Sequence, residues 1–381
     1  MEFRRSEQDL QFADAVRGFA LRNLAEGALE RAHARSYPKD VARLMAEQGL
    51  LGITIPEDAG GIGGRLFDAI LAIEEIAAVC PRSADVIQAG NFGAIRVLAE
   101  FGSDQQKQTY LSQLLSGDAV IAIGMTEPEA GSAVTELKTT AEPVDGGFRL
   151  NGTKVFTSHM SDAAMILAYV RFGPGTQGIG SVLVDRKSDG VSLGKPVQSL
   201  GGETWSQLYL HDVFVPEQNV VLGEGGFKKQ IAGFNVERLG NSARALALGR
   251  FAFDLARNHA LERKQFGRPI CEFQGLQWKF ADMKVELEAA RLLLYRAAIN
   301  ADNGFPSAEE TAIAKLACNR AGFNAANEAM QIFGAAGYSQ DNLIEYCFRR
   351  TRGWMIAGGS LEMMKNRIAE NIFERRFSQR P

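Results

Sequence analysis

Cysteine and histidine are scarce in this chain. Four cysteines (Cys80, Cys271, Cys318 and Cys347) and four histidines (His33, His159, His211 and His259) are scattered through 381 residues. No two cysteines form a CxxC pair, which argues against structural zinc or a dithiol redox motif and leaves them expected as reduced, mostly buried thiols. The histidines show no ligand spacing, so no metal is expected. Charge of one sign is lacking too. A formal net charge of -3 speaks against nucleic-acid binding by bulk electrostatics. No apolar run reaches the length of a membrane span. The opening "MEFRRSEQDL" has no apolar core of a secretory signal. The closing "FSQRP" matches no lipidation or peroxisomal ending, and a cytoplasmic protein is expected. Repeats and low-complexity tracts are missing as well.

What is present is ordinary globular material, 46% hydrophobic and 23% charged. The length fits two or three domains, or one large subunit with a substantial core. Ser6 followed by Asp9 is a capping-box variant. Leu10, Ala13, Val16 and Ala20 then repeat at helical spacing, with Phe12 and Phe19 widening the stripe. A second helix is predicted after Pro38, with Val41, Leu44 and Met45 on one face, stopping at Gly49. "IPEDAGGIGG" is a turn-rich loop, and two or three more helices are expected between Leu66 and Leu115. Around Gly117 the period changes. "AVIAIGMTEP" suits a buried strand, and "TTAEPVDGGFRLNG" is a hairpin around Asp145-Gly146-Gly147. "AMILAYVRF", "GSVLVD" and "QLYLHDVFVP" continue the strands. After "GEGGFKK" the chain returns to helix: Phe227 to about Arg263, Phe273–Asn300, Ser307–Phe333 and Trp354–Phe377, the material of a four-helix bundle. The expected fold class is α+β. It has an N-terminal helical domain at 1–117, a mostly antiparallel β domain at 118–226 and a C-terminal bundle at 227–381.

Three stretches in this order, "MTEPEAGS" (125–132), "ERKQFGRPI" (262–270) and "QIFGAAGY" (331–338), resemble the acyl-CoA dehydrogenase superfamily, and the resemblance covers nearly the whole chain. It implies FAD as cofactor, held between the β domain and the bundle. "MTEPEAGS" follows a strand and offers backbone groups and hydroxyls to a flavin without adding charge. On the resemblance, Met125 and Thr126 contact the ring, while Gly131 and Ser132 lie near flavin or substrate. Phe156 and Ser158 fall where the family has a flavin-stacking aromatic and a hydroxyl donor. Arg263, Gln265 and Phe266 grip the FAD of a neighbouring subunit. Gln331, Gly334 and Ala335 support its adenosine diphosphate part, and Ser360 and Glu362 complete the cofactor set. The shared site implies a homodimer or homotetramer. The chain departs from the family pattern at Ala133, where an Asp is usual, at Phe156, where a Trp is usual, and at Gly334-Ala335, in place of Gly-Gly.

The family removes a proton beside a thioester carbonyl while a hydride leaves the β carbon. The base must be a carboxylate that reaches one specific hydrogen. Many members carry it in an aromatic-Glu-Gly-Thr segment, which aligns here with Ala357-Gly358-Gly359-Ser360, and Gly358 cannot accept a proton. Isovaleryl- and long-chain-type members take their glutamate from the helix after the β domain, aligned with "GFNVERLGNS". That implies Glu237 as the base, on one helix face with Phe234 and Asn241. Burial under an acyl chain would raise the pKa of such a base toward neutrality. Against this stands a solvated Glu237 paired with Arg238. In the family, the backbone N–H at the position of Gly358 donates to the thioester carbonyl, a role that needs no side chain.

"VCPRSADVIQ" resembles the glutaryl-CoA dehydrogenase segment whose Arg-Ser pair binds a distal carboxylate. Arg82 is therefore a candidate for an anionic acyl end, against the plain alternative of a surface Arg at a helix start. Ser132 and Arg238 are candidates for pantetheine and for the CoA phosphates. The expected partners are an acyl-CoA or acyl-carrier thioester, with Lys228 and Lys229 available to an acidic carrier, and an electron-transfer flavoprotein or similar acceptor. Three other readings stay open. The site could run as an enoyl-CoA reductase of the crotonobetainyl-CoA reductase type, which shares the Gly-Gly-Ser and Glu-Arg pattern. It could be a desulfinase-like lyase, whose close analogues lack both carboxylates. It could be an inactive flavin-binding scaffold, a branch that carries a basic C-terminal extension. After Arg367 the basic residues here are Arg375, Arg376 and Arg380.

Overall fold

The computed structural model describes residues 5–301 and 304–377. "FSQRP" beyond Phe377, including Arg380, lies outside the described residues. Helices come first: α1 (Glu7–Asn23), α2 (Ala28–His33), α3 (Lys39–Glu47), α4 (Leu66–Ala77), α5 (Ala84–Asn91), α6 (Gly93–Phe101) and α7 (Asp104–Leu115). Strands follow: β1 (Ile121–Gly124), β2 (Thr140–Val144), β3 (Gly147–Ser158), β4 (Met165–Arg171), β5 (Ile179–Asp185), β6 (Val191–Leu193), β7 (Val197–Gln198), β8 (Thr204–Pro216) and β9 (Val220–Leu222). The C-terminal region holds α8 (Phe227–Glu262), the small hairpin β10 (Lys264–Gln265) and β11 (Arg268–Pro269), α9 (Gln274–Ile299), α10 (Ala308–Phe333), α11 (Ile344–Trp354) and α12 (Leu361–Ile372). The α, then β, then α order is the expected one. No helix among the described residues is long and apolar enough to cross a membrane.

Local chemistry accounts for many boundaries. The Ser6–Asp9 capping box is formed in full, and a second one opens α7 at Ser103–Gln106. The hairpin turn sits at Asp145–Gly146, with Gly146 at φ 74. Three details differ from the sequence expectation. Four helices, not two or three, lie between Leu66 and Leu115, because Pro81 interrupts after α4, and Gly93 (φ 63) and Gly102 separate α5, α6 and α7. Leu44 is exposed, whereas Val41, Ala42 and Met45 are buried, so the apolar face of α3 is turned from the one expected. The segment Trp354–Phe377 is not one helix. α11 ends at Trp354, the glycines Gly358 (φ 73) and Gly359 (φ 92) turn the chain, and Ser360 N-caps α12 through Met363 N–H.

The chain forms two compact units. One gathers the described residues of Met1–His33, Arg65–Asp85 and Arg238–Pro381; the other, Ala34–Gly64 and Val86–Glu237. The division falls between Glu237 and Arg238, inside α8.

In the second unit the main sheet runs β6-β8-β3-β2-β4-β5-β9, with β1 parallel to β4 and β7 beside β8. Apart from the β1–β4 and short β2–β4 contacts its pairings are antiparallel. Leu98 of α6 and Leu111 and Leu114 of α7 share a core with Met165, Leu167 and Leu183 of the sheet.

In the first unit α8 and α10 approach backbone to backbone. A Cβ on Gly249 would lie 2.5 Å from Gly322 Cα, and one on Gly322 2.1 Å from Ala245 O. Only glycines permit that crossing. Glu74 of α4, fully buried, accepts from Arg250 (3.0 Å), Arg291 (2.7 Å) and Tyr295 (2.8 Å). Burial pushes its pKa upward, but the two guanidiniums and the hydrogen bonds outweigh this and hold it below the ordinary value.

Candidate active site

Glu237 is half-buried on α8. The side chain of Gln88, on α5, donates through Nε2 to Glu237 Oε1, while Gln88 Oε1 is buried without a hydrogen-bond partner. The other carboxylate oxygen lies over Gly93, the first residue of α6. A Cβ at Gly93 would come within 2.6 Å of Glu237 Oε2, and the residue has φ +63. Glycine is therefore needed there on two counts, conformation and space. No side chain caps the start of α6, so a carboxylate faces the partially positive end of that helix.

The "MTEPEAGS" loop leaves β1 and is anchored from below. Lys154 of β3, fully buried, lies 2.7 Å from Glu127 Oε1. Glu127 also accepts from Thr139 N (3.0 Å), Thr139 Oγ1 and Lys138 N. Burial pushes the Lys154 ammonium down to about 8, although Glu127 opposes the shift. At Glu127, burial acts upward, but Lys154 and the hydrogen bonds prevail and hold it low. The two partners differ because desolvation dominates at the lysine; both are charged at neutral pH. Val155 N donates to Thr126 O at 2.8 Å, tying the loop to β3. Met125 packs on the cluster of Ala130, Leu137, Tyr169 and Ile179, while Gly131 and Ser132 are exposed.

One residue further along β3 the ladder to β8 slips. Lys154 pairs with Leu208 and Thr157 with Ser206, so two residues oppose one, a β-bulge. Phe156, inside it, has φ 56 and is 64% exposed. Non-glycine residues rarely adopt that conformation, at a cost of about 1–3 kcal/mol. Its only described ring contact is edge-on to Trp205. The neighbouring Thr157 hydroxyl is buried with no hydrogen-bond partner.

In the other unit, Arg238 Nε donates to Gly358 O at 2.9 Å. The Nε is thus committed to the backbone of the Gly358 turn. Arg82 is not a surface residue. It is 3% exposed and paired with Asp85. Asp85 also receives Arg244 and, at 2.9 Å, Arg350. The guanidiniums of Arg244 and Arg350 lie 4.5 and 4.8 Å from the Trp354 ring centroid, within cation–π range.

The chain matches three family models in series: acyl-CoA dehydrogenase N-terminal domain over residues 6–118, middle domain over 122–213 and C-terminal domain over 224–373. The chain belongs to the acyl-CoA dehydrogenase family. This is a family of flavoprotein oxidoreductases acting on CH–CH groups. Among its relatives, a 3-sulfinopropanoyl-CoA desulfinase of Paraburkholderia xenovorans is 34% identical, with 99% of each chain covered. An acryloyl-CoA reductase (NADH) of Anaerotignum propionicum is 33% identical over 98% of this chain and 97% of its own. The structure of a glutaryl-coenzyme A dehydrogenase with glutaryl-CoA superposes with a TM-score of 0.94 at 30% identity, covering 100% of this chain and 98% of that one.

The residues on the β side fit a flavin of this family. An exposed aromatic is held in strained backbone by a bulge, beside a buried, unpartnered hydroxyl and a loop locked by an internal ion pair. Ser158 ends β3 opposite Trp205. In the helical unit, Arg263 directly precedes the β10–β11 hairpin, which carries Gln265 and Phe266, and Phe266 is 93% exposed with φ 52. His259 of α8 stacks on Phe333 of α10 at 4.2 Å, which brings the base of that hairpin beside Gln331, Gly334 and Ala335, all exposed. Ser360 and Glu362 begin α12 on the far side of the glycine turn. Sequence reasoning missed Gln88, Gly93, Lys154, Lys315 and the arginine pair that joins Arg82. One signal was available for Lys315, a lone cation in the apolar run "TAIAKLACN". The others are brought together only by the fold.

Proposed function

We propose that this protein is an FAD-dependent acyl-CoA dehydrogenase in which Glu237 takes the α proton of an acyl thioester. The observation that carries the reading is the Glu237 carboxylate itself, oriented by Gln88 and seated on the side-chain-free Gly93. Bound FAD supplies the hydride acceptor. Phe156 and Met125 would hold the ring, and Thr126, Ser158, Gly131 and Ser132 would contact it or the substrate. Arg263, Gln265 and Phe266, with Gln331, Gly334 and Ala335, hold the cofactor's remainder, joined by Ser360 and Glu362. The Gly358 N–H donates to the thioester oxygen as enolate charge develops. Three domains at 1–117, 118–226 and 227–381 carry these parts. An electron-transfer flavoprotein or similar acceptor takes the electrons.

A homo-oligomer fits the fully exposed Phe266 and the heptad-spaced exposed Trp278, Val285, Leu292 and Ile299 on α9. For the acyl group, the buried Arg82, with Arg244 and Arg350 converging on Asp85, favours an anionic distal end. The same cluster favours one second reading, cleavage of the C–S bond of a sulfinate-bearing thioester, in which the bonding pair stays on carbon and takes a proton while the sulfur leaves as SO2, which water converts to sulfite; the desulfinase relatives are named for such a desulfination.

The test is anaerobic flavin absorbance against short, branched, long, dicarboxylyl and 3-sulfinopropanoyl thioesters, with sulfite assayed in parallel. Bleaching by a dicarboxylyl chain is expected. Sulfite release without bleaching replaces the dehydrogenase by the lyase. Bleaching by NADH or another donor followed by recolouring with an enoyl thioester makes the enzyme a reductase.

A further inference from the structure

Lys315 is fully buried on α10, and no role above uses it. Its ammonium donates to Asn241 Oδ1 at 3.0 Å, Trp354 O at 3.0 Å and Ala357 O at 2.9 Å. Asn319, one turn on, donates to the same Trp354 O at 2.6 Å and to Asn241 Oδ1 at 3.2 Å. Taking an ammonium out of water costs several kcal/mol. Here the cation meets the C-terminal carbonyl of α11, the partially negative end of that helix. It lies directly under the glycine turn: a Cβ on Gly358 would be 3.8 Å from Lys315 Nζ.

Peptide geometry gives this contact a consequence. The Ala357 carbonyl and the Gly358 N–H belong to one planar unit, which is trans, as no cis peptide occurs among the described residues. In a trans peptide C=O and N–H point in opposite directions. A cation that pulls the Ala357 oxygen toward the bundle interior therefore drives the Gly358 N–H away from it. Arg238 does the same to the next unit by taking Gly358 O at 2.9 Å, which turns the Gly359 N–H outward. Two flexible glycines at φ 73 and 92 are thus held by two cations, each acting on a carbonyl, and two successive peptide dipoles are fixed with their positive ends away from them.

We propose that Lys315 is a positioning residue: by holding the Ala357 carbonyl it aims the Gly358 N–H at the thioester oxygen. This rests on the dehydrogenase reading, and the experiment separates the two. In holoenzyme with FAD content and melting temperature measured, Lys315→Met and Lys315→Arg are compared with wild type. The limiting rate of anaerobic flavin reduction and the half-saturating thioester concentration are recorded, together with the infrared C=O stretch of a 13C-labelled thioester bound to the protein. Lys315→Met is expected to lower the limiting rate roughly 10–100-fold, less than outright removal of an oxyanion donor. Half-saturation should change by less than about 3-fold, and the bound C=O stretch should move back toward its solution value. Lys315→Arg, which can still reach a carbonyl, recovers part of both. If Lys315→Met does not fold, Lys315→Gln, a shorter neutral donor, is read by the same criteria. An unshifted carbonyl stretch and an unchanged limiting rate in a folded, FAD-loaded variant overturn the proposal. A wild type that no thioester bleaches sinks the dehydrogenase reading instead, and the carbonyl stretch, which needs binding alone, still decides the role of Lys315.

Discussion

The Glu237 region and the Gly358 region assemble functional groups in opposite ways. At Glu237 the group proposed to react is a side chain, and the surroundings make room for it: Gln88 donates to one oxygen, and Gly93 leaves the space for the other. At Gly358 the group proposed to act is backbone, and side chains hold it: Lys315 and Arg238 each donate to a carbonyl of an otherwise flexible turn. A side chain placed by a rigid helix needs little further support. A glycine turn has no side chain to lock its conformation, so its precision must be imported from neighbours. Substitutions that touch chemistry directly should therefore act most strongly at the first site, and substitutions of supporting residues at the second.

The largest expected effect sharpens that contrast. Glu237→Gln should leave FAD bound and slow flavin reduction by about 10²–10⁴-fold, since the amide keeps the shape and loses the base; stopped-flow reduction at unchanged FAD content checks it, and an unaltered rate removes Glu237 from the mechanism. Gly93→Ala comes next. Its methyl would meet Glu237 Oε2 at 2.6 Å in a φ +63 conformation. Reduction should fall at least tenfold, with a stability loss of roughly 1–3 kcal/mol for the strained backbone, read from urea midpoints. A rate kept at wild type would mean that the carboxylate need not sit where it does.

Arg82→Ala removes one partner from a buried ion cluster, for which about 3–5 kcal/mol of destabilisation is expected. In protein that still folds, turnover of thioesters with an anionic end should fall far more than that of neutral ones. Equal loss for both classes would make the cluster purely structural.

A pH experiment addresses the loop side. The folded-state pKa of Lys154 is lowered from 10.5 to about 8. Between those values the unfolded chain holds more protons than the folded one. Lys154 therefore adds stability as pH rises from about 8 toward 10.5, and that contribution is lost as pH falls back through 8. The stability of wild type relative to Lys154→Met should rise across this window and be flat below it; a flat difference throughout would show the shift to be absent. The smallest effect belongs to a position remote from chemistry: Ser6→Ala, which opens the capping box of α1, should cost about 1 kcal/mol in thermal unfolding and leave flavin reduction unchanged.

Much of this was legible in the residues. The α, β, α order follows from periods of 3.6 and 2, and Ser6, Gly146 and Ser307 mark element ends by chemistry confined to a few neighbouring residues. The ordered motifs carried the family. Less legible were helix breaks set by Gly93 and by Gly358-Gly359, because a glycine in a helical pattern does not announce the sign of its φ. The burial of Arg82 was hidden for a related reason: a residue after Pro81 looks solvent-facing until Asp85, Arg244 and Arg350 close on it.

The sequence by itself determined the element order, the caps, the hairpin turn and the residue types offered for chemistry, since these depend on interactions within a few positions along the chain. Only the tertiary structure decided that Lys315 lies under the Gly358 turn, that Gln88 meets Glu237 and that Lys154 anchors Glu127, because each pair joins residues 27 to 149 positions apart. No local pattern encodes such a meeting. It arises when two elements bury their apolar faces together, and the polar groups carried inward must then find partners there.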